Sequence, residues 1–512
     1  MAWPEFCFIL LMPQTGALLE VEARLFAELP AQRRWAEAVI FFEGLLAVRP
    51  GFLSAVNALA LVAYENRDYD AALRLLAGLH RREPKNIFWL NNLGVVLAAR
   101  GECSGAWAML DLALKLAPAH AEILYNRACL AIVEGRAELA LELLRATLAH
   151  FPEHRRSLFG LSRLAKENGL LAESVACCRR LCDKFPENAE YRFNLGLMLL
   201  KVGAWEEGFT LYESRPPVGG LKNLAAGEKL WRGEPLAGKT MLVIAEQGLG
   251  DTIICARYLP LLECLNARLT VAVQEPLLEL LRNSFPELEI PAANQKKSSS
   301  YDYRISLLSL PHRFRTRLDN LPAVVPYLKV STAARERWRS RLSRQKNGCL
   351  KIGVVWASNP INLKEKRRAL PLSLFSRLFA VAGAVFFSLK KDQEASDLSL
   401  IDKLPAELRS RYVDLAPELT DLHETAAIME NLDLIISCDT SVPHLAGALA
   451  RPVWLLLPFD ADWRWLVKRE DSPWYPTMRL FRQPRPDDWQ TVLARVEREL
   501  RRLSATGNHA EN

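Results

Sequence analysis

The segment Pro84–Ala117, "PKNIFWLNNLGVVLAARGECSGAWAMLDLALKLA", is one unit of a repeat, and its two boundaries reveal the period. Pro50, Pro84, Pro118, Pro152 and Pro186 follow one another at intervals of 34 residues. Counting back from each proline, small residues recur at Ala38, Ala72, Ala106, Ala140 and Ser174, where a second helix must cross a first one closely. Gly94, Ala128, Ser162 and Gly196 fall at the matching place in the first helix. Each proline ends a second helix because it lacks the N–H and clashes with the preceding turn. A sixth unit, from Ala189 to about Tyr212, closes the series. This period predicts a stack of helix–turn–helix units, a solenoid over residues 19–213 in which each unit buries its apolar face against the next.

A solenoid offers a concave binding surface. Asn92, Asn126 and Asn194 occupy one repeat position on first helices, with Ala58 and Gly160 in two other units. An asparagine side chain both donates and accepts, so such a ladder suits an extended peptide backbone. Hydrogen bonding between or within repeats explains the same residues.

After Glu213 the helical phase breaks in "SRPPVGGLKN", and we read 214–239 as a linker. From Thr240 short β-branched runs alternate with helical stretches, the rhythm of a parallel sheet. "TMLVI", "LTVAV" and "YDYRISLLSLP" belong to a half at 240–345. "CLKIGVVWASNP", "AVFFSLKKD", "DLIISCDTS" and "PVWLLLPF" belong to a second at 346–485. The expectation is a pair of Rossmann-like domains facing a cleft, with ligands bound beyond the carboxyl ends of the strands. A last helix, Asp488 to Leu503 within 486–512, is placed to fold back across the halves.

Composition sets the frame. Half of the 512 residues are hydrophobic, enough for large cores, and 66 Lys and Arg against 59 Asp and Glu give +7, an excess too mild to require nucleic acid. Two basic runs, Arg335 to Arg344 and Arg498 to Arg502, read as solvated helix faces. Segment 1–18 has a short apolar run without the features of a signal peptide, and no run reaches membrane length. Ten cysteines without CxxC pairs fit a reducing, cytoplasmic setting, and Cys177, Cys178 and Cys182 read as small core residues rather than metal ligands.

Three loops could carry chemistry. In "AEQGLGDTI", Gly248 and Gly250 permit a tight turn and close backbone approach, but neither a P-loop nor a full dinucleotide fingerprint is present. Asp251 is either a helix N-cap or a working acid. In "SCDTSVPHLAGAL", Asp439, Thr440 and Ser441 precede a helix whose first turns carry His444, and free N–H groups there suit a diphosphate. In "WASNPINLKEKRRALP", Asn359 with Pro360 forces a turn, and Lys364, Lys366, Arg367 and Arg368 concentrate charge. Arginine is the better bidentate phosphate partner. Together the loops suit displacement of a nucleoside diphosphate, with an acid in one half and a cationic helix terminus in the other.

With these motifs, and with "SLLSLP", "FFSLKKD" and "DWRW...DSPWYPTMRLFRQ", residues 230–483 resemble the bacterial glycosyltransferases linked to tetratricopeptide (TPR) repeats. Those are related to the ADP-heptose heptosyltransferases of glycosyltransferase family 9 and share the GT-B fold with the O-linked N-acetylglucosamine transferases. The resemblance implies a TPR solenoid followed by a GT-B pair, the first half on the acceptor side and the second on the nucleotide-sugar side. It implies Asp251 as the base near the acceptor, and Arg368, Asp439, Thr440, Ser441 and His444 around the donor phosphates. Nucleotide contacts are expected near Lys390 and Glu394. Ser441 stands where the family has glycine, and Asn362, Lys364 and Glu365 depart from the usual third loop. The function implied is inverting, metal-independent transfer of a hexosyl, heptosyl or N-acetylglucosaminyl group. The donor is a nucleotide-diphosphate sugar, no further cofactor takes part, and the acceptor is a hydroxyl of a protein or peptide held by the repeats. An adaptor with a non-catalytic GT-B domain and a GT-B epimerase are the rival readings.

Overall fold

The computed structural model describes Glu28 and residues 34–216, 229–292, 300–343, 348–357 and 368–507. Segment 1–18, residues 358–367 of the third loop with Asn359 among them, and residues 217–228 of the linker lie outside them. The chain forms two compact units, Met1–Lys184 and Phe185–Asn512.

Among the described residues the first unit contains helices and no strand. Helices Trp35–Val48, Leu53–Glu65, Tyr69–Arg82, Ile87–Arg100, Cys103–Leu116, Ala121–Val133, Ala137–His150, Arg155–Glu167 and Leu171–Lys184 alternate as first and second members of the repeats. The small residues read from the sequence are the crossing points: Ala38, Ala72, Ala106, Ala140 and Ser174 are all fully buried. A Cβ on Gly94 would lie 2.8 Å from the Leu110 side chain and 3.2 Å from the Ala106 carbonyl, so the two helices meet there without room for a methyl group. The turn inside each repeat needs a left-handed residue. Gly101, Gly135 and Gly169 supply it at φ 90°, 73° and 76°, while the first such turn uses Arg67 at φ 64°.

The asparagine ladder is inside the array. Asn92 and Asn126 are 1% and 0% exposed. Asn92 donates to Asn57 Oδ1 at 2.7 Å, Asn91 to Asn92 at 3.0 Å, and Asn126 to Asn91 at 2.8 Å. Buried amides pair with one another because leaving one unsatisfied costs more than the bond is worth. Repeat-to-repeat bonding therefore replaces the peptide-contact reading for these two; Asn194, in the second unit, is half-buried. Cys177 and Cys178 are core residues, as expected, and burial pushes their thiols up to about 11 and about 12.

The second unit opens with the helix pair Ala189–Lys201 and Trp205–Tyr212, which the sequence assigns to the solenoid but which belongs here. A four-stranded parallel sheet follows in the order β1-β4-β2-β3, made of β1 (Lys229–Leu230), β2 (Thr240–Ile244), β3 (Arg268–Ala272) and β4 (Tyr303–Ser306). A six-stranded parallel sheet has the order β10-β9-β8-β5-β6-β7. Its strands are β5 (Leu350–Val355), β6 (Ala384–Ser388), β7 (Tyr412–Asp414), β8 (Leu434–Cys438), β9 (Val453–Leu457) and β10 (Met478–Arg482). Strands covered on both faces read as continuous apolar runs, and β6 and β8 are buried at every residue.

Four helices matter below: α1 (Leu249–Ala256) after β2, α2 (Leu422–Met429), α3 (Ser441–Ala448) after β8, and α4 (Trp489–Gly507). Helix Thr332–Leu342 buries Ala334, Trp338 and Leu342 and leaves its arginines in solvent, as read for the first basic run. Helix α4 folds back onto the second half: Arg377 donates to Glu497 at 2.9 Å, and Ser504 donates to the Ala382 carbonyl at 2.6 Å.

Candidate active site

The two sheets bring their strand-to-helix loops together. After β2 the chain passes through Gln247, at φ 62°, into Gly248, the N-cap of α1. The Gly248 N–H donates to Asp251 Oδ2 at 2.9 Å, so Asp251 satisfies one of the unpaired donors of the helix start. Its other oxygen does something different. Asp251 Oδ1 accepts from Arg464 Nη2, a side chain from the opposite half. One carboxylate thus closes a helix and pairs across the domain junction.

After β8 comes Asp439, 5% exposed, then Thr440, whose hydroxyl accepts the Val442 N–H at 3.2 Å and caps α3. Ser441 begins the helix. The helix starts α1 and α3 meet: a Cβ on Gly250 would lie 2.9 Å from His444 Cδ2 and 3.6 Å from Ser441 Cα. Only glycine allows that approach.

A third loop follows β9. Asp462 accepts the Arg464 N–H at 3.1 Å and its Nη1 at 2.7 Å, closing the turn Trp463–Trp465. Arg368 stands 3.6 Å from Asp439 Oδ2 and 3.6 Å from Asp462 Oδ2. The result is one chain of alternating charge, Asp251–Arg464–Asp462–Arg368–Asp439. At 3.6 Å Arg368 makes no tight hydrogen bond to either acid, and Asp439 Oδ2, beside Arg368 and the Trp465 side chain, makes no close one.

The environment sorts the titrating groups. Burial raises the Asp439 carboxyl above its usual range, with Arg368 opposing. Burial would do the same to Asp462, but Arg464 and Arg368 outweigh it and hold Asp462 low. Burial, reinforced by Arg464, lowers His444 to about 3, so its ring is neutral at physiological pH. His444 stacks on Trp465 with centroids 5.0 Å apart, and its Nδ1 lies 3.2 Å from Tyr475 Oη. That contact fixes the ring and leaves Nε2 toward the junction with Gly250.

Asp251, Arg368, Asp439, Thr440, Ser441 and His444 therefore lie in one place with Gly248 and Gly250. Lys390 and Glu394 follow β6 on the second half and make no hydrogen bond or ion pair to these residues. Lys390 is 4% exposed, donates to the Asp392 carbonyl at 2.6 Å and pairs with Asp397 at 3.3 Å, so its charge is already engaged. Glu394 is exposed and precedes helix Ala395–Asp402. Asp462 and Arg464 are the members that sequence reading did not assign. Their signal was two opposite charges flanking Trp463 in "DADWRW", shortly after the apolar strand β9. Among the described residues no three His, Cys, Asp or Glu side chains are grouped to hold a metal ion.

Comparison with known proteins agrees with both parts of the chain. Residues 376–456 match the model of glycosyltransferase family 9 (heptosyltransferase), a span that includes Asp439, Thr440, Ser441 and His444. Residues 57–121 and 125–189 match the tetratricopeptide repeat model. Protein FlbA of Caulobacter vibrioides is 26% identical over 491 residues, covering 92% of this chain and 76% of that protein. Among solved structures, E. coli ADP-heptose lipopolysaccharide heptosyltransferase II is 16% identical over 52% of this chain and 99% of its own, with a TM-score of 0.38. The TPR protein TTC0263 of Thermus thermophilus is 22% identical over 35% of this chain and 98% of its own, with a TM-score of 0.33. Residues 57–189 thus resemble tetratricopeptide repeats and residues 376–456 glycosyltransferase family 9, in a chain whose helical array precedes parallel α/β sheets.

Proposed function

We propose that the chain transfers a sugar from a nucleotide-diphosphate sugar to a hydroxyl group, with inversion and without a metal ion, and that the acceptor is a protein or peptide presented by the repeats. The observation that carries this reading is the junction of α1 and α3. It sets a carboxylate from one half beside a helix N-terminus, a neutral histidine and two arginines of the other. The family 9 match over residues 376–456 supports a nucleotide-sugar donor on that second half.

In this reading the acceptor oxygen attacks the anomeric carbon as the bond to the diphosphate breaks. Asp251 takes the hydroxyl proton. The nucleoside diphosphate leaves with its charge stabilised by Arg368, by the free N–H groups at the start of α3 and by His444. With Tyr475 donating to Nδ1, neutral His444 offers an Nε2–H. Fixed donors of this kind stabilise developing charge without reorganising. The departure at Ser441 from the family's glycine narrows the backbone approach at the helix start.

Replacing Asp251 tests the assignment. Asp251→Ala should lower transfer by about a hundredfold or more while the donor binds nearly as before, because the base acts only in the transition state. Turnover equal to that of the unaltered chain would remove Asp251 from the role.

A further inference from the structure

The helix pair Ala189–Tyr212 is tied to both loops that supply the Asp251–Arg464 pair. Lys201, at the end of its first helix and with a side chain 5% exposed, pairs with Asp460 and donates to the Ala461 carbonyl at 2.8 Å. That anchors the residues just before Asp462 and Arg464. Trp205 stacks on Trp474 at 5.0 Å, and Phe209 meets Trp463 edge-on at 5.6 Å. The Arg464 guanidinium in turn lies 4.4 Å over the Trp463 ring.

The second tie runs to the other loop. Arg215, 6% exposed, pairs with Glu246, which is 1% exposed, and its Nε donates to Glu246 Oε1 at 2.7 Å. Arg215 also donates to Glu213 at 2.7 Å and to Ser309 at 2.9 Å. Glu246 directly precedes the turn Gln247–Gly248 that opens α1. Each loop also holds a non-glycine residue at positive φ, Gln247 at 62° and Leu466 at 53°, a conformation that persists only where surrounding contacts over-determine it. A buried lysine or arginine paired with a buried or partly buried acid is weak evidence of stability alone. Two such pairs, one from the helix pair and one from Arg215 just beyond it, to the two loops of one site, call for a different explanation.

We propose that the terminal helix pair and Arg215 form a positioning element for the candidate active site, with Lys201 setting the loop of Arg464 and Arg215 setting the loop of Asp251. The last repeat is then a structural part of the site, not only a place to present an acceptor. The proposal rests on Asp251 and Arg464 being at the reacting centre, but the geometry it claims is measurable without the reaction.

Hydrogen–deuterium exchange on the full chain tests it. Lys201→Met should speed exchange in peptides covering 459–466, and Arg215→Met in peptides covering 245–251, each by about tenfold, while β5 and β8 keep their protection. Lys201→Arg should restore the first. If Lys201→Met fails to fold, the double change Lys201→Met with Asp460→Asn removes both charges and serves instead. With a nucleotide sugar that the unaltered chain turns over, kcat should fall about tenfold in the methionine variants with donor KM little changed, as expected for lost alignment rather than lost binding. Unaltered exchange in both loops overturns the proposal, and so does faster exchange with unaltered kcat. A chain that turns over no nucleotide sugar overturns the functional reading alone, and the exchange result then decides the positioning claim by itself.

Discussion

At the scale of single residues, environment decides what each ionisable group can do. His444 is the clearest case. Its folded pKa lies near 3, held down by burial and by Arg464, whereas an unfolded histidine titrates near 6.5. Below about pH 6.5 the unfolded chain takes up a proton that the folded chain refuses, so stability is lost as pH falls from there toward 3, by at most about 1.4 kcal/mol per pH unit. The urea midpoint of the second unit should therefore drop more between pH 7.5 and pH 5 in the unaltered chain than in His444→Leu; equal drops would show that His444 is not buried neutral. Asn92 makes the complementary point. Asn92→Ala removes two hydrogen bonds among buried amides, which should cost the first unit about 1–3 kcal/mol in chemical denaturation. Unchanged stability would return Asn92 to the surface role that its repeat position suggests. Repeat position was legible in the sequence; the direction in which the amide points was not, because inter-repeat bonding and peptide contact require the same residue type.

At the scale of elements, the 34-residue period was the strongest signal available, and it determined every helix of the described array. The same period marks the turns. Gly101, Gly135, Gly169 and Gly203 share one repeat position and all have positive φ, and Arg67 holds that position in the first described turn. A side chain there is strained where glycine is not, so Arg67→Gly should stabilise the first unit by up to about 1 kcal/mol. A loss of stability on calorimetry would mean that arginine contacts outweigh the backbone strain. Strands covered by helices announced themselves as apolar runs, which is why β2, β3, β5, β6, β8 and β9 were readable. Three edge strands, β1, β7 and β10, were not: β1 and β7 are two and three residues long, and "MRLFR" interrupts its apolar pattern with arginine. The boundary of the array was likewise hidden. The last helix pair keeps the repeat's spacing while its outward residues, Lys201, Trp205 and Phe209, pack on the α/β part, and spacing carries no record of the partner.

At the scale of the whole molecule, the candidate site arises only when two halves are folded against each other. Sequence placed Asp251 and the Asp439–His444 helix at strand ends, and the resemblance to family 9 assigned them roles. The bridge between them, Arg464 with Asp462, required the packing of three loops that lie far apart in the chain. Among the described residues no helix is long and apolar enough to cross a membrane. The central claim is that this junction binds a nucleotide-diphosphate sugar through Arg368 and the start of α3. The most direct measurement is a thermal-shift panel of UDP-, GDP-, ADP- and dTDP-sugars against the full chain in EDTA, repeated with Arg368→Ala. The account predicts that one nucleotide class raises the melting temperature of the unaltered chain and that Arg368→Ala loses most of that rise. No shift with any nucleotide sugar, or an equal shift in the variant, would contradict it.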